Sequence, residues 1–272
     1  MTGMKAMGRE VGVRSVRAIR THAVVAGVAI ALCGASFAVT AGGHLAWERY
    51  EKALASDERA EADRARDKGR KPARVLDFLG LKPGMTAMDL LASGGYYTEA
   101  LSRVVGPSGR VYAQNPAMLL KYRDGANDKA LSKRLANDRL PNVTRLDEEV
   151  DAISIQKGSV DLVVTALNFH DLYNGPGGVE VATGMSKAVF GLLKPGGVFG
   201  VIDHAGSADG DNAALHRMQM RDAAAVLRNS GFKVEMSDLL RNSGDARDKG
   251  VFDPSVRGKT DRFLLKATRP GA

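Results

Sequence analysis

From residue 75 onward, apolar positions along the chain change period repeatedly, and each change marks an element. Val75, Leu76, Phe78 and Leu79 recur at helical spacing, and Gly80 is placed to end that helix. Leu81-Lys82-Pro83-Gly84 reads as a turn. An apolar run then leads through Met85, Ala87 and Met88 to Asp89, and small residues follow at Ala92-Ser93-Gly94-Gly95. A helix starting near Tyr96 continues over 99–105 on Leu101, Val104 and Val105, until Gly106-Pro107-Ser108-Gly109 breaks it. Residues 110–113 predict a short strand ending at Gln114-Asn115, with helical segments between Pro116 and Leu140. Residues 143–146 predict a strand leading to Asp147-Glu148-Glu149. Residues 160–167 carry the strongest strand pattern, the apolar run expected of a strand covered on both faces. A helix over 185–193 is stopped by Lys194-Pro195-Gly196-Gly197, and a strand follows over 198–202. A helix over 213–230 is stopped by Gly231, and the last two strands fall at 232–236 and 262–267.

Strands alternating with helices at these intervals imply a parallel sheet covered on both faces. The tail fits a hairpin-like ending. Its intervening segment, 237–261, has little apolar periodicity, and Asp245 to Lys259 reads as a solvated loop or a lid bearing Arg247, Lys249 and Arg257. Residues 45–74 mix both charge signs with alanine, which reads as one or two solvated helices.

The step from strand to small-residue turn to helix, Met88 to Thr98, is how a chain brings backbone against a nucleotide-like ligand. Glycines permit close approach, and a helix start offers free N–H groups.

Charge matters once it is divided along the chain. The 272 residues carry a formal +8, and about half of that excess lies in Lys5, Arg9, Arg14, Arg17 and Arg20 against Glu10. What remains is a mildly basic domain, better explained by a solvated surface than by a nucleic-acid groove. The basic start and the uncharged run over 23–43 read as a secretory signal, cleaved after Ala38 or Ala41. A retained membrane anchor is the other reading, since the run is about as long as a spanning helix. The expected location is periplasmic or secreted, with no membrane association after cleavage. The single cysteine, Cys33, lies inside that run, so a cleaved chain would have no disulfide, thiolate metal site or cysteine nucleophile.

Four segments together carry a family resemblance: Met88 to Glu99, Val160-Asp161-Leu162-Val163, Leu193-Lys194-Pro195-Gly196-Gly197 and Asn229-Ser230-Gly231-Phe232. In their order and spacing the chain resembles class I S-adenosylmethionine-dependent methyltransferases, and more closely a group of predicted bacterial methyltransferases with a GGYYTE motif. The resemblance covers about residues 71–270. It implies an α/β, Rossmann-like fold: a mostly parallel seven-stranded sheet with a reversed last strand and helices on both faces. It divides the chain into a leader (1–41), a charged helical extension (42–70) and a methyltransferase-like domain (71–272). The implied activity is methyl transfer from S-adenosylmethionine to a small molecule. The alternatives are an exported binding protein that keeps the fold without catalysis, and a nicotinamide-dependent oxidoreductase.

By the same resemblance Asp89, Ala92, Ser93, Gly94, Gly95 and Tyr96 would wrap the methionyl part of the cofactor. Gln114 and Asn115 stand where an acid usually holds the ribose, Asp147 or Glu148 would meet the adenine amine, and Asn168 would face the reaction centre. Leu91 and Ser93 occupy positions where the family usually has glycine.

Methyl transfer from a sulfonium needs alignment of the nucleophile and, for a hydroxyl or amine, somewhere for its proton. His170 is the candidate base, with Asp171 and Tyr173 to orient it or the substrate; a simple loop hydrogen bond is the competing role. Asp203-His204 is a second polar pair at the same sheet edge. Ligand types suit a metal at His170, Asp171, Asp203 and His204, but spacing does not demand one, and no metal is expected. His44 and His216 read as surface or helix residues. The sequence leaves the oligomeric state open.

Overall fold

The computed structural model describes residues 42–271. The leader, with its cleavage sites, its anchor alternative and Cys33, lies outside them. Among the described residues no helix is long and apolar enough to cross a membrane.

Among the described residues eight α-helices and seven strands follow in the order α1 (Gly42–Leu54), α2 (Glu61–Arg70), α3 (Pro72–Leu79), β1 (Thr86–Leu90), α4 (Tyr96–Val105), β2 (Arg110–Gln114), α5 (Ala117–Leu135), β3 (Val143–Leu146), β4 (Val160–Ala166), α6 (Phe169–Asn174), α7 (Gly178–Leu192), β5 (Leu193–His204), α8 (Met220–Asn229), β6 (Lys233–Ser237) and β7 (Arg262–Thr268). The sheet runs β3-β2-β1-β4-β5-β7-β6. Pairs among β1 to β5 are parallel, while β7 lies antiparallel to both β5 and β6. This is the expected mostly parallel seven-stranded sheet with its last strand reversed.

Side chains on a strand alternate between faces, and here the alternation separates two cores. Ala87, Val111, Leu162, Val164, Ile202 and Leu264 pack with α1, α3 and α4. Met88, Leu90, Val163, Phe199, Val201, Phe263 and Leu265 pack with α6, α7 and α8. Asp89 shares parity with Ala87 and so faces α4, whereas Asp203 shares parity with Val201 and faces α6. Strand parity thus assigns the two buried carboxylates to opposite faces of one sheet edge.

Several elements differ from the sequence expectation. The charged segment is not simply solvated. Tyr50 and Leu54 join the core, and the Arg59 and Asp63 side chains are buried. Arg59 pairs with Asp67 at 2.5 Å and donates to the Leu54 carbonyl, which offsets much of the cost of burying its charge, while its Nε has no hydrogen-bond partner among the described residues. Buried Glu99 on α4 accepts from Arg103, Arg134 and Arg139, and Arg134 also reaches Asp63. The helix α5 has non-helical backbone from Tyr122 to Gly125. The helix α7 starts seven residues earlier than its apolar pattern suggests.

The clearest departure is at residues 213–219, which are a turn and not the start of α8. Arg217 is fully buried there and forms a two-pronged pair with Asp245, while Met218 bridges to Ala205. Those contacts hold the segment against the end of β5, and helix geometry would break them. They also tie down the long segment before β7, as does Arg247 on Asp261. That segment is therefore a mostly exposed loop, as expected, but one anchored at Asp245, Val251 and Asp261.

Candidate functional site

The turn after β1 has glycine-like backbone without glycine in two places. Leu91 and Ser93 adopt φ of 57° and 51°, and Gly95 follows at 81°. A side chain in this left-handed region costs roughly 1–2 kcal/mol. Two side-chain amides at the end of β2 hold the turn. Gln114 accepts from the Leu91 N–H at 3.1 Å and donates to the Glu148 carbonyl at 2.6 Å. Asn115 accepts from the Ser93 N–H at 2.7 Å and donates back to the Ser93 carbonyl at 3.2 Å. The Ala92 N–H binds the Gln114 carbonyl, and Arg134 Nε reaches the Gly94 carbonyl. At Gly95 the backbone has φ 81° and a Cβ would lie 2.8 Å from Leu131 Cδ1, so both conformation and space favour glycine where α5 crosses the turn.

Asp89 is buried and accepts from the Thr98 hydroxyl at 2.7 Å, beside the start of α4. Burial raises its carboxyl to about 6, against the opposing hydrogen bonds from Thr98 and the fields of Arg134 and Arg70. Tyr96 and Tyr97 are both buried, their rings edge to face, with the Tyr96 hydroxyl on Asp67 at 2.5 Å. Arg70 stacks over Tyr96, and with Arg262 and Tyr97 it lines a narrow crevice under Leu167.

A cavity of about 470 Å³ opens beyond the carboxyl ends of β1, β2, β3 and β4, where open α/β sheets bind ligands. Leu91, Leu119, Val150 and Met185 give it apolar walls, and Glu149, Asn168 and Asp171 bring polar atoms. Asn168 donates to the Leu91 carbonyl, which joins the turns after β1 and β4. Asp147 and Glu148 do not line it. Asp147 pairs with Arg145, and the Glu148 carboxylate is taken by Ser154. Leu91, the departure from the glycine pattern, turns its side chain mostly into the core and contributes only a wall.

Beside the cavity a chain of alternating acids and imidazoles runs across the ends of β4 and β5. Asp203 accepts the His170 backbone N–H at 2.7 Å and contacts His170 Nδ1 at 2.7 Å. His170 Nε2 lies 3.1 Å from Asp171 Oδ1, and His216 Nδ1 lies 2.9 Å from the same oxygen. Burial alone would push the His170 imidazolium down. Asp203 and Asp171 outweigh it and raise the value to about 10. Burial likewise raises the Asp171 carboxyl, and contacts with His170 and His216 overcome it to leave the group lowered. His204 differs: burial pushes it down to about 3, and its Nδ1 contacts Thr260 at 2.7 Å. Tyr173 is half-buried and packs on the core beneath α6. His216 is the functional candidate that sequence reasoning missed, because its partner is 45 residues away.

No family model matches the chain. It is 30% identical over 125 residues to a demethylmenaquinone methyltransferase of Lactococcus lactis, covering 46% of this chain and 44% of that protein. It is 25% identical over 196 residues to a ubiquinone/menaquinone biosynthesis C-methyltransferase of Shewanella pealeana, covering 71% and 67%. The chain thus spans under half of the first relative and two thirds of the second. Among solved structures it resembles a SAM-dependent methyltransferase from Aquifex aeolicus (TM-score 0.55, 21% identity, 82% of this chain and 98% of that one). It also resembles the [4+2]-cyclase SpnF (TM-score 0.54, 15% identity, 75% and 81%). The fold is that of class I S-adenosylmethionine-dependent methyltransferases. The antiparallel β7 is the ending expected of that fold.

The residues present fit an adenosyl group in this cavity. Its size suits a cofactor, its walls suit a purine, and Glu149 and Asn168 offer polar atoms at the rim. Gln114 and Asn115, expected at the ribose, are instead engaged in shaping the turn and do not line the cavity.

Proposed function

We propose that the protein transfers a methyl group from S-adenosylmethionine to a small apolar acceptor. The observation that carries this reading is the cavity at the carboxyl ends of β1 to β4, with the acid–imidazole chain on its wall. When bound, S-adenosylmethionine supplies an activated methyl group on a sulfonium. The chain's residues do the rest. Of the turn at 91–95 only Leu91 lines the cavity, so the amino-acid end would have to reach buried Asp89 past that turn, with Arg70 and Arg262 in the neighbouring crevice. Leu91, Leu119, Val150 and Met185 exclude water around the base.

Asp171 lines the cavity and is held between two imidazoles, so it fixes the acceptor's polar atom; His170 is its buried support. Exposed Met118 and Val181 extend the apolar surface to the rim, which favours an acceptor with substantial hydrocarbon. The curated relatives act in quinone biosynthesis by name, and a quinone-like ring is an acceptor of this kind.

Calorimetric titration of the purified protein with S-adenosylmethionine, S-adenosylhomocysteine and NAD tests the proposal. Binding of the two sulfur compounds and not of NAD is expected. Absence of binding to both sulfur compounds would overturn it.

A further inference from the structure

We propose that His170, Asp171 and His216 bind a divalent transition-metal ion of borderline softness, such as Zn²⁺ or Co²⁺. His170 Nε2, an Asp171 carboxylate oxygen and His216 Nδ1 all lie within 4.8 Å of one another. The two nitrogen–oxygen separations are 3.1 and 2.9 Å. Metal–ligand bonds of 2.0–2.2 Å in a tetrahedral site put donor atoms about 3.3 Å apart. Loading an ion therefore asks each imidazole to part from the carboxylate oxygen by only a few tenths of an ångström, with the two ring nitrogens within 4.8 Å of each other. Two imidazoles and one carboxylate suit Zn²⁺, Co²⁺ or Fe²⁺ better than the oxygen-seeking Mg²⁺ or Ca²⁺.

The surroundings are those of a metal-binding histidine. Such a ligand nearly always gives its second ring nitrogen to a carboxylate, which sets the tautomer and aims the ring. His170 does this with Asp203, leaving Nε2 toward Asp171. His216 is also aimed. Its backbone is in the left-handed region at φ 51°, the Arg217–Asp245 pair anchors the next residue, and its ring packs edge to face against Phe252 at 5.1 Å. A half-exposed surface histidine has no need of such restraint.

Three protein donors leave coordination positions free. Of the three ligands Asp171 lines the cavity, so an ion held there would border it and an oxygen of an acceptor could fill a free position. That last step rests on the methyl-transfer reading; the metal site does not.

The test uses full-length, untagged protein stripped with a chelator and dialysed. Zn²⁺ is titrated by calorimetry, and Co²⁺ by its visible absorption, both without S-adenosylmethionine. One equivalent should bind, with the intense bands of low-coordinate Co²⁺. His216 and Asp171 side chains are 43% and 58% exposed, so His216→Ala and Asp171→Asn can be made without opening the core. Each should abolish the Co²⁺ bands, and Asp203→Asn should weaken Zn²⁺ binding by about 10- to 100-fold. Circular dichroism identifies any variant that has not folded, and the two exposed positions then decide the matter. No stoichiometric binding, or binding unchanged in both His216→Ala and Asp171→Asn, would overturn the site. Either result leaves binding of S-adenosylmethionine to be judged on its own titration.

Discussion

Replacing Asp89 by asparagine should stabilise the ligand-free protein while weakening its hold on the cofactor. Asp89 is buried on the α4 face of β1, and burial raises its carboxyl from 3.8 to about 6. A native value above the unfolded one means the folded state binds the proton more tightly. Stability from this group is therefore fully present below pH 3.8 and is lost as pH rises through 6. The difference corresponds to about 3 kcal/mol at neutral pH, at roughly 1.4 kcal/mol per tenfold change in proton affinity. Asparagine keeps the shape and the acceptor for the Thr98 hydroxyl but has no charge to bury. The gain of Asp89→Asn over wild type should thus be near zero at pH 4 and approach that magnitude at pH 7 to 8. Urea denaturation of both proteins across this range, without cofactor, measures it. Equal stability at pH 8, or an advantage that does not shrink toward pH 4, would refute the reasoning. Calorimetry of the same variant should show weaker binding of S-adenosylmethionine, a trade of function against stability common at ligand sites.

Other outcomes follow from the same geometry. Asn115→Ala removes both side-chain bonds to Ser93 and should cost about 1–3 kcal/mol in urea denaturation, with weaker cofactor binding. Arg217→Met leaves the Asp245 carboxylate buried without its guanidinium and should cost about 3–5 kcal/mol in urea denaturation. Against burial, Arg217 holds the Asp245 carboxyl below its ordinary range. That part of wild-type stability is therefore present above the unfolded carboxyl value and is lost as pH falls through the folded one. An acid titration of wild type against Arg217→Met should show it. Fractionated cells should carry the mature protein outside the cytoplasm, and a wholly cytoplasmic protein would contradict the leader reading.

The parts of the fold written in local pattern could be read from the chain. β3 was placed at its observed bounds, Gly80 ends α3 as a left-handed cap, and the turn between β1 and α4 stands where Ala92 to Gly95 put it. What escaped is set by distant partners. The stretch 213–219 has helix-compatible composition, but Asp245 and Ala205 decide its shape. Arg59 sits among charges that look solvated, and only Asp67 and the Leu54 carbonyl make its burial tolerable. His216 carries no local sign of Asp171. Gln114 and Asn115 show the same limit within the candidate site. Their place after β2 was legible, but their engagement with residues more than twenty positions earlier was not.

The turn after β1 keeps Gly94 and Gly95 but also puts Leu91 and Ser93 in the left-handed region, and this has a consequence for substitution. At those two residues the conformation rests on the amides of Gln114 and Asn115, so a neighbouring strand supplies what backbone freedom would otherwise give. Single changes there are therefore coupled. Placing an acid at position 114 would remove the N–H that binds the Glu148 carbonyl and set a buried charge beside it. Placing glycine at 91 would remove a core side chain from the wall of the cavity. Each such residue is unfavourable while the others stay, so this turn tolerates replacement only as a set.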